Sequence, residues 1–251
     1  MMKRFLALLL CMLLPLWALA EPVTLGADLS GVICWPEDAT EATAVYVYRY
    51  QYPTVEGDGE MAGLINEFYA YLVDDAIGFG VPMAAETLPE DAAQSTTNVV
   101  SRITCHNKDY LSVLVVTEST MGAANTQVYS SQTFPLEGLR AGQVTSLPRV
   151  LGILSDDEED TWMMDRQTNK ANELVWTLVW DIIQQQQAEG LISFDPDLTD
   201  EMFIRDFYPE EDFYLDEEGN LVFFLQAATI ASAADGVLLY PFSLEELQDE
   251  L

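Results

Sequence analysis

The sequence predicts an α+β fold in which antiparallel sheets carry amphipathic helices packed on one face. Three observations lead there. Tyr46, Tyr48, Tyr50 and Tyr52 alternate with Val45, Val47, Arg49 and Gln51, the two-residue period of a strand built from aromatic and β-branched side chains. Met61, Leu64, Ile65, Phe68, Leu72 and Ala76 then recur at helical spacing. Further on, β-prone segments enclose two short polar turns, His106-Asn107-Lys108-Asp109 and Glu217-Glu218-Gly219-Asn220, the pattern of hairpins.

The first strand runs from Thr43 to Tyr52 and is ended by Pro53 and the Gly57-Asp58-Gly59 cluster. The helix that starts at Glu60 is expected to stop at Gly78 and Gly80. Thr97 to Cys105 and Tyr110 to Glu118 form the first hairpin, and residues 125 to 134 add a third antiparallel strand after Met121-Gly122-Ala123-Ala124. Thr145 to Leu154 reads as a short connecting helix, followed by the acidic run Asp156 to Asp160. The longest helix spans Asn169 to Gln187. Its Leu174, Val175, Trp176, Leu178, Val179, Ile182 and Ile183 cover so wide an arc that it is expected to be largely buried, with the glutamines at 184 to 187 as its solvated end. Thr199 is placed to open a helix carrying Phe203 and Phe207. Asp212 to Asp216 and Leu221 to Gln226 form the second hairpin and Gly236 to Phe242 the last strand. Ser243-Leu244-Glu245-Glu246 then begins a terminal helix with a capping-box pattern. No repeat of fixed period is found.

Composition bounds the function. The chain has 251 residues, 42 of them Asp or Glu against 10 Lys or Arg, a net charge of -32, with 49% hydrophobic residues. That apolar content builds a core and argues against disorder. The charge excludes nucleic acid and anionic membrane faces as main partners, because binding to either relies on Lys and Arg displacing counterions.

Met1-Met2-Lys3-Arg4, an apolar run from Phe5 to Ala20, and Ala18-Leu19-Ala20 before Glu21-Pro22 form a secretory signal, with cleavage expected between Ala20 and Glu21. The run is interrupted by Pro15 and falls short of the roughly 20 residues of a spanning helix. Lipoprotein processing at Cys11 is disfavoured by Leu10, which stands where a small residue is wanted. Removing residues 1–20 takes Lys3 and Arg4 with it and leaves 8 basic against 42 acidic side chains, a net charge of -34. The expected organisation is a signal peptide at 1–20, an N-terminal extension at 21–42 and an α+β module at 43–251, with sub-halves at 43–95 and 96–251. The product is expected outside the cytoplasm, released or held at the wall, with no transmembrane segment after cleavage.

Two cysteines remain after cleavage, Cys34 and Cys105. In an oxidising compartment they pair, closing a loop of about 70 residues worth about 3–4 kcal/mol, or they stay as two buried thiols; both readings stand. Other chemistry is sparse. His106, the single histidine, falls at a hairpin turn, and a turn histidine is more often solvated than a general base. There is no Gly-x-Ser-x-Gly elbow and no glycine-rich phosphate cradle. One His and two separated Cys match no zinc spacing, and Asp195-Pro196-Asp197 lacks the glycine and the closing glutamate of a calcium loop. No catalytic, metal or cofactor-binding residue is assigned, no cofactor is implied, and the ligand-binding residues are unknown.

The C-terminal third carries a resemblance. Asp212-Phe213-Tyr214-Leu215-Asp216-Glu217-Glu218-Gly219-Asn220-Leu221-Val222-Phe223-Phe224 leads through Ile230-Ala231 and Gly236 to Tyr240-Pro241-Phe242-Ser243-Leu244-Glu245-Glu246-Leu247. This resembles the closing motif of the extracytoplasmic domain of RsiV-type anti-sigma factors, which also precedes the catalytic domain of PdaC-type peptidoglycan deacetylases. Tyr50-Gln51-Tyr52-Pro53 with Ile65-Asn66 is similar to the family's N-terminal portion, and Leu111-Ser112-Val113 to its central hairpin. The chain departs where the family has Gly-Gly-Ala-His, carrying Met121-Gly122-Ala123-Ala124, and where Ala227-Ala228 and Ser232-Ala233 replace a proline and tyrosine pattern. The resemblance implies a free-standing version of the sensor or accessory module, with lysozyme as the family's ligand.

Two functions of different class follow. The first is a secreted, non-catalytic binding module of the cell envelope that captures a cationic protein such as lysozyme, steered by the charge of the chain. Residues 195–251 alone carry 16 acidic side chains and one basic. The second is a peptidoglycan-active enzyme or accessory using paired carboxylates, with Tyr46, Tyr48 and Trp162 as aromatic platforms and a cell-wall component as partner. A structural secreted domain whose acidity serves solubility is the plainest reading.

Overall fold

The computed structural model of the chain describes residues 23–89, 93–122 and 124–251. The expected signal segment, with Ala20 and Glu21, lies outside them. Strands β1 (Leu29–Trp35), β2 (Tyr46–Tyr52), β3 (Ser95–His106), β4 (Tyr110–Met121) and β5 (Ala124–Pro135) form one sheet in chain order. Strands β6 (Phe213–Leu215), β7 (Leu221–Leu225) and β8 (Leu238–Phe242) form a second, antiparallel one. Helices α1 (Glu60–Asp75), α2 (Val81–Glu86), α3 (Leu147–Val150), α4 (Thr161–Glu189), α5 (Asp200–Asp206) and α6 (Leu244–Asp249) complete the α+β architecture.

The larger sheet departs from antiparallel pairing at one place. β2 and β3 run parallel, because the chain between them crosses over through α1 and α2 instead of a tight turn. The helix expected to end at Gly78 and Gly80 continues: α1 passes into a π turn at Ala76–Gly80 and on into α2. Glycine in a helix costs only about 1 kcal/mol, and burial of Ala76, Val81 and Ala85, the last two in one cluster with Tyr46, Ile33 and Trp35, outweighs it. Ile33 and Trp35 belong to β1, so the 21–42 segment supplies an edge strand paired to β2 along its whole length.

The layers follow from strand alternation. Leu111, Val113 and Val115 of β4 point to one face of the large sheet and join Ile65, Tyr69 and Val73 of α1 in a buried cluster with Phe134. On the same face Tyr48, Tyr50 and Tyr52 form a ladder with centroids 6.2 Å apart, and Tyr52 stacks on Tyr69 at 5.2 Å. The intervening Leu114 and Val116 point to the opposite face and meet Phe224 of the small sheet. Phe223 and Leu225 leave the far side of β7 for a second core with Val175, Val179 and Ile183 of α4 and Phe203 and Phe207. The molecule is therefore helix, large sheet, small sheet, helix.

Two joints fix these layers. Ser112 is fully buried yet satisfied: its hydroxyl pairs with Thr133 at 2.9 Å and accepts the Leu215 N–H at 3.0 Å, stitching β6 to the large sheet. Gly142 has φ +80°, and a Cβ there would stand 2.5 Å from the Met61 carbonyl oxygen, so only glycine lets this loop touch the start of α1.

Helix α4 begins earlier than expected, at Thr161, because the Asp160 carboxylate accepts from the N–H groups of Trp162 and Met163. Its wide apolar arc is only partly enclosed. Ala171, Val175, Val179 and Ile183 are buried, while Leu174, Trp176, Leu178, Trp180 and Ile182 stay half-buried on the flanks. Thr199 caps α5 by accepting from Met202 N, whereas Ser243 opens α6 without a side-chain cap bond.

Candidate binding cleft

Strand β5 is the free edge of the large sheet, and other parts of the chain meet several of its outward backbone groups. The Gln226 side chain clamps Tyr129: the amide oxygen accepts Tyr129 N–H at 2.9 Å and the amide nitrogen donates to Tyr129 C=O at 2.7 Å. Thr145 N–H donates to Thr133 C=O and Gly142 N–H to Pro135 C=O, at 2.8 and 2.9 Å. Outward groups recur every second residue, so Ser131 also presents its N–H and C=O away from β4. No protein group meets that pair among the described residues. Only the Ser131 hydroxyl is engaged, donating to Phe213 C=O.

Beside this opening lies a cleft of about 460 Å³ whose lining joins Phe68 and Val144 to Ser130 to Thr133 of β5 and to the acidic stretch Glu210, Glu211 and Asp212. Chain geometry places the acids there. Helix α5 ends at Asp206, Phe207 is driven into the core, and the turn Tyr208 to Asp212 closes with Glu211 and Asp212 N–H groups on Tyr208 C=O. β6 then starts at Phe213 against Ser131.

The wall is electrostatically unsettled. Burial pushes the Asp212 carboxyl up to about 6; the Tyr208 N–H, 3.1 Å from Oδ2, holds it down in part, and the charges of Glu211 and Glu210 push it further up. Glu210 Oε2 is buried without a hydrogen-bond partner. Four ion pairs form among the described residues, joining Arg49 to Glu41, Lys108 to Asp109, Arg149 to Asp156 and Arg205 to Asp206, and none reaches this wall.

The residues singled out in the sequence fall elsewhere. Tyr46 is buried and Tyr48 half-buried beneath α2, so they form no exposed platform. Trp162 is exposed, with the Arg166 guanidinium 5.5 Å from its ring. A shallower groove runs between α4 and α5, where Trp176 and Trp180 stand among Glu173, Asp181 and Asp200. His106 is exposed at the end of β3, and Asp195 accepts the Asp197 N–H in a local turn. No helix among the described residues is long and apolar enough to cross a membrane, and no group of three or more His, Cys, Asp or Glu gathers as a metal site among them.

Of the two readings of the cysteines, the structure has the separate thiols. Both are free, Cys34 half-buried and Cys105 buried. Cys34 lies opposite Val47, which lies opposite Thr96, and Cys105 is nine residues further along β3. At about 3.3 Å per residue that is about 30 Å, far beyond the 7 Å limit for a bridge. Burial pushes the Cys105 thiol up to about 11, with Asp216 and Asp109 adding to it.

Fold and cleft together define a two-sheet α+β domain with a partly open, acid-walled strand edge. Two solved structures share that fold. A member of the DUF3298 family from Bacteroides fragilis is 15% identical with a TM-score of 0.52, the match covering 90% of this chain and 92% of that one. A DUF3298 family protein from Pseudomonas aeruginosa is 10% identical with a TM-score of 0.51, covering 90% and 93%. No family model matches the chain, and no curated protein does.

The cleft itself was not among the residues picked out from sequence. Pro209-Glu210-Glu211-Asp212 was a local signal, a turn charged three times over and set between two buried phenylalanines, Phe207 and Phe213.

Proposed function

We propose that the chain is a secreted, non-catalytic binding module of the cell envelope that captures a cationic protein, with lysozyme as the representative partner. The observation that carries this reading is uncompensated charge. Forty-two acidic side chains stand against 10 basic ones, and the four ion pairs formed among the described residues leave most carboxylates facing solvent without a cation. Their summed field attracts a basic protein and raises its association rate by about 10- to 1,000-fold at low ionic strength, an effect that salt removes.

Two further points are consistent with the reading. The sequence resembles the extracytoplasmic module of RsiV-type anti-sigma factors, and the two-sheet α+β fold is shared with DUF3298 proteins. Calorimetric titration of the chain with lysozyme at low and at moderate salt tests the proposal. Binding that is tighter at low salt supports it, and no heat of binding at either salt removes it.

A further inference from the structure

We propose that the β5 edge cleft takes a short, extended, Lys- or Arg-bearing segment of the captured protein, one residue of which pairs with the backbone of Ser131; this rests on the capture reading above and adds where and how the partner is held. Along this stretch of the edge Gln226 covers both outward groups of Tyr129, and Thr145 and Gly142 cover the carbonyls of Thr133 and Pro135, so that Ser131, between them, is open on both its N–H and its C=O beside the cleft. Gln226 shows what that position accepts. Its amide supplies one donor and one acceptor to Tyr129 at 2.9 and 2.7 Å, the same pair that a strand residue offers, and Ser131 presents the equivalent two groups a step along.

The acidic wall sets the charge of the occupant. Glu210, Glu211 and Asp212 line the same cleft as Ser131, no ion pair among the described residues engages them, and Glu210 Oε2 is buried with no donor among those residues to meet it. A Lys ammonium or an Arg guanidinium beside the paired residue brings a donor for Glu210 Oε2 and a counter-charge for all three carboxylates. Neutral or acidic segments would leave the three carboxylates without a counter-charge, so the wall selects sign as well as shape. The cleft spans one ladder pair, which suits an exposed loop or chain end better than a full added strand.

The test uses a pentapeptide, acetyl-Lys-Val-Lys-Val-Lys-amide, titrated into the isotopically labelled protein and followed by backbone amide NMR. The inference predicts saturable shifts centred on Ser130, Ser131, Gln132 and Asp212. It also predicts at least tenfold weaker binding for the same peptide with N-methylated backbone amides, whose charge is unchanged but which lacks the strand donors. Absent binding, shifts centred elsewhere, or equal affinity of the N-methylated peptide overturns the inference. Lysozyme is titrated in parallel into the wild type and into Ser131→Pro, a change that removes an outward N–H and no ladder bond. Lysozyme affinity undiminished in a folded Ser131→Pro keeps capture and discards the cleft, whereas absence of lysozyme binding at low salt discards capture itself. Should Ser131→Pro fail to fold, the N-methyl comparison on the native protein decides.

Discussion

Replacing Asp212 by Asn is expected to stabilise the protein at neutral pH, an uncommon sign for a substitution at a partly buried site. The Asp212 carboxyl is held up to about 6 from an ordinary 3.8, burial being the main cause. That interval corresponds to about 3 kcal/mol against the charged form, and solvent screening of a partly exposed group brings it to about 1–2 kcal/mol. Asparagine keeps an oxygen to accept the Tyr208 N–H and removes the charge that Glu210 and Glu211 oppose. The sign over pH follows from linkage. A folded value above the unfolded one means that the folded state binds more protons between about 4 and 6, so the cost is absent below that window and complete above it. Urea unfolding of the wild type and Asp212→Asn should therefore differ by about 1–2 kcal/mol in favour of the variant at pH 7.5 and converge at pH 3.5. A variant less stable than wild type at pH 7.5, or an equal difference at both pH values, refutes this account of the wall.

Other expectations can be checked alongside. Intact mass should not change on reduction, and alkylation of the native protein should label Cys34 while Cys105 reacts only after unfolding. Phe203, fully buried between Trp180 and Phe207 with ring centroids at 5.5 and 5.3 Å, should cost about 3–5 kcal/mol when replaced by Ala, read from urea unfolding. Gly142→Ala meets both a positive φ and the Met61 carbonyl, and a loss of more than about 2 kcal/mol is expected in the same assay.

Much of the fold was legible because local period and burial agree. The tyrosine alternation of β2, the β3 to β5 meander and the hairpin around Gly219 all fall where the sequence puts them, give or take a few residues. Four features were hidden for physical reasons. β1 escaped because Ser30 and Gly31 break its alternation; the glycine is there because the Tyr50 phenol lies across it, 2.5–3.0 Å from where a Cβ would stand. The helical path through Gly78 and Gly80 is decided by packing on β1 and β2, and the partial exposure of α4 by what remains to cover it; neither contact is visible in local sequence. The cleft joins Ser131 to Glu210 across the whole of α4, so no local pattern could have paired them. Charge was readable from composition alone, while its placement beside an open strand position was not.

Capture of a cationic protein is the claim on which the rest depends, and the titration with lysozyme at low and moderate salt addresses it most directly. The account predicts saturable binding at low salt, with affinity falling as ionic strength rises and the association rate changing more than the dissociation rate. Absence of binding at both salts, or an affinity indifferent to salt, would contradict it.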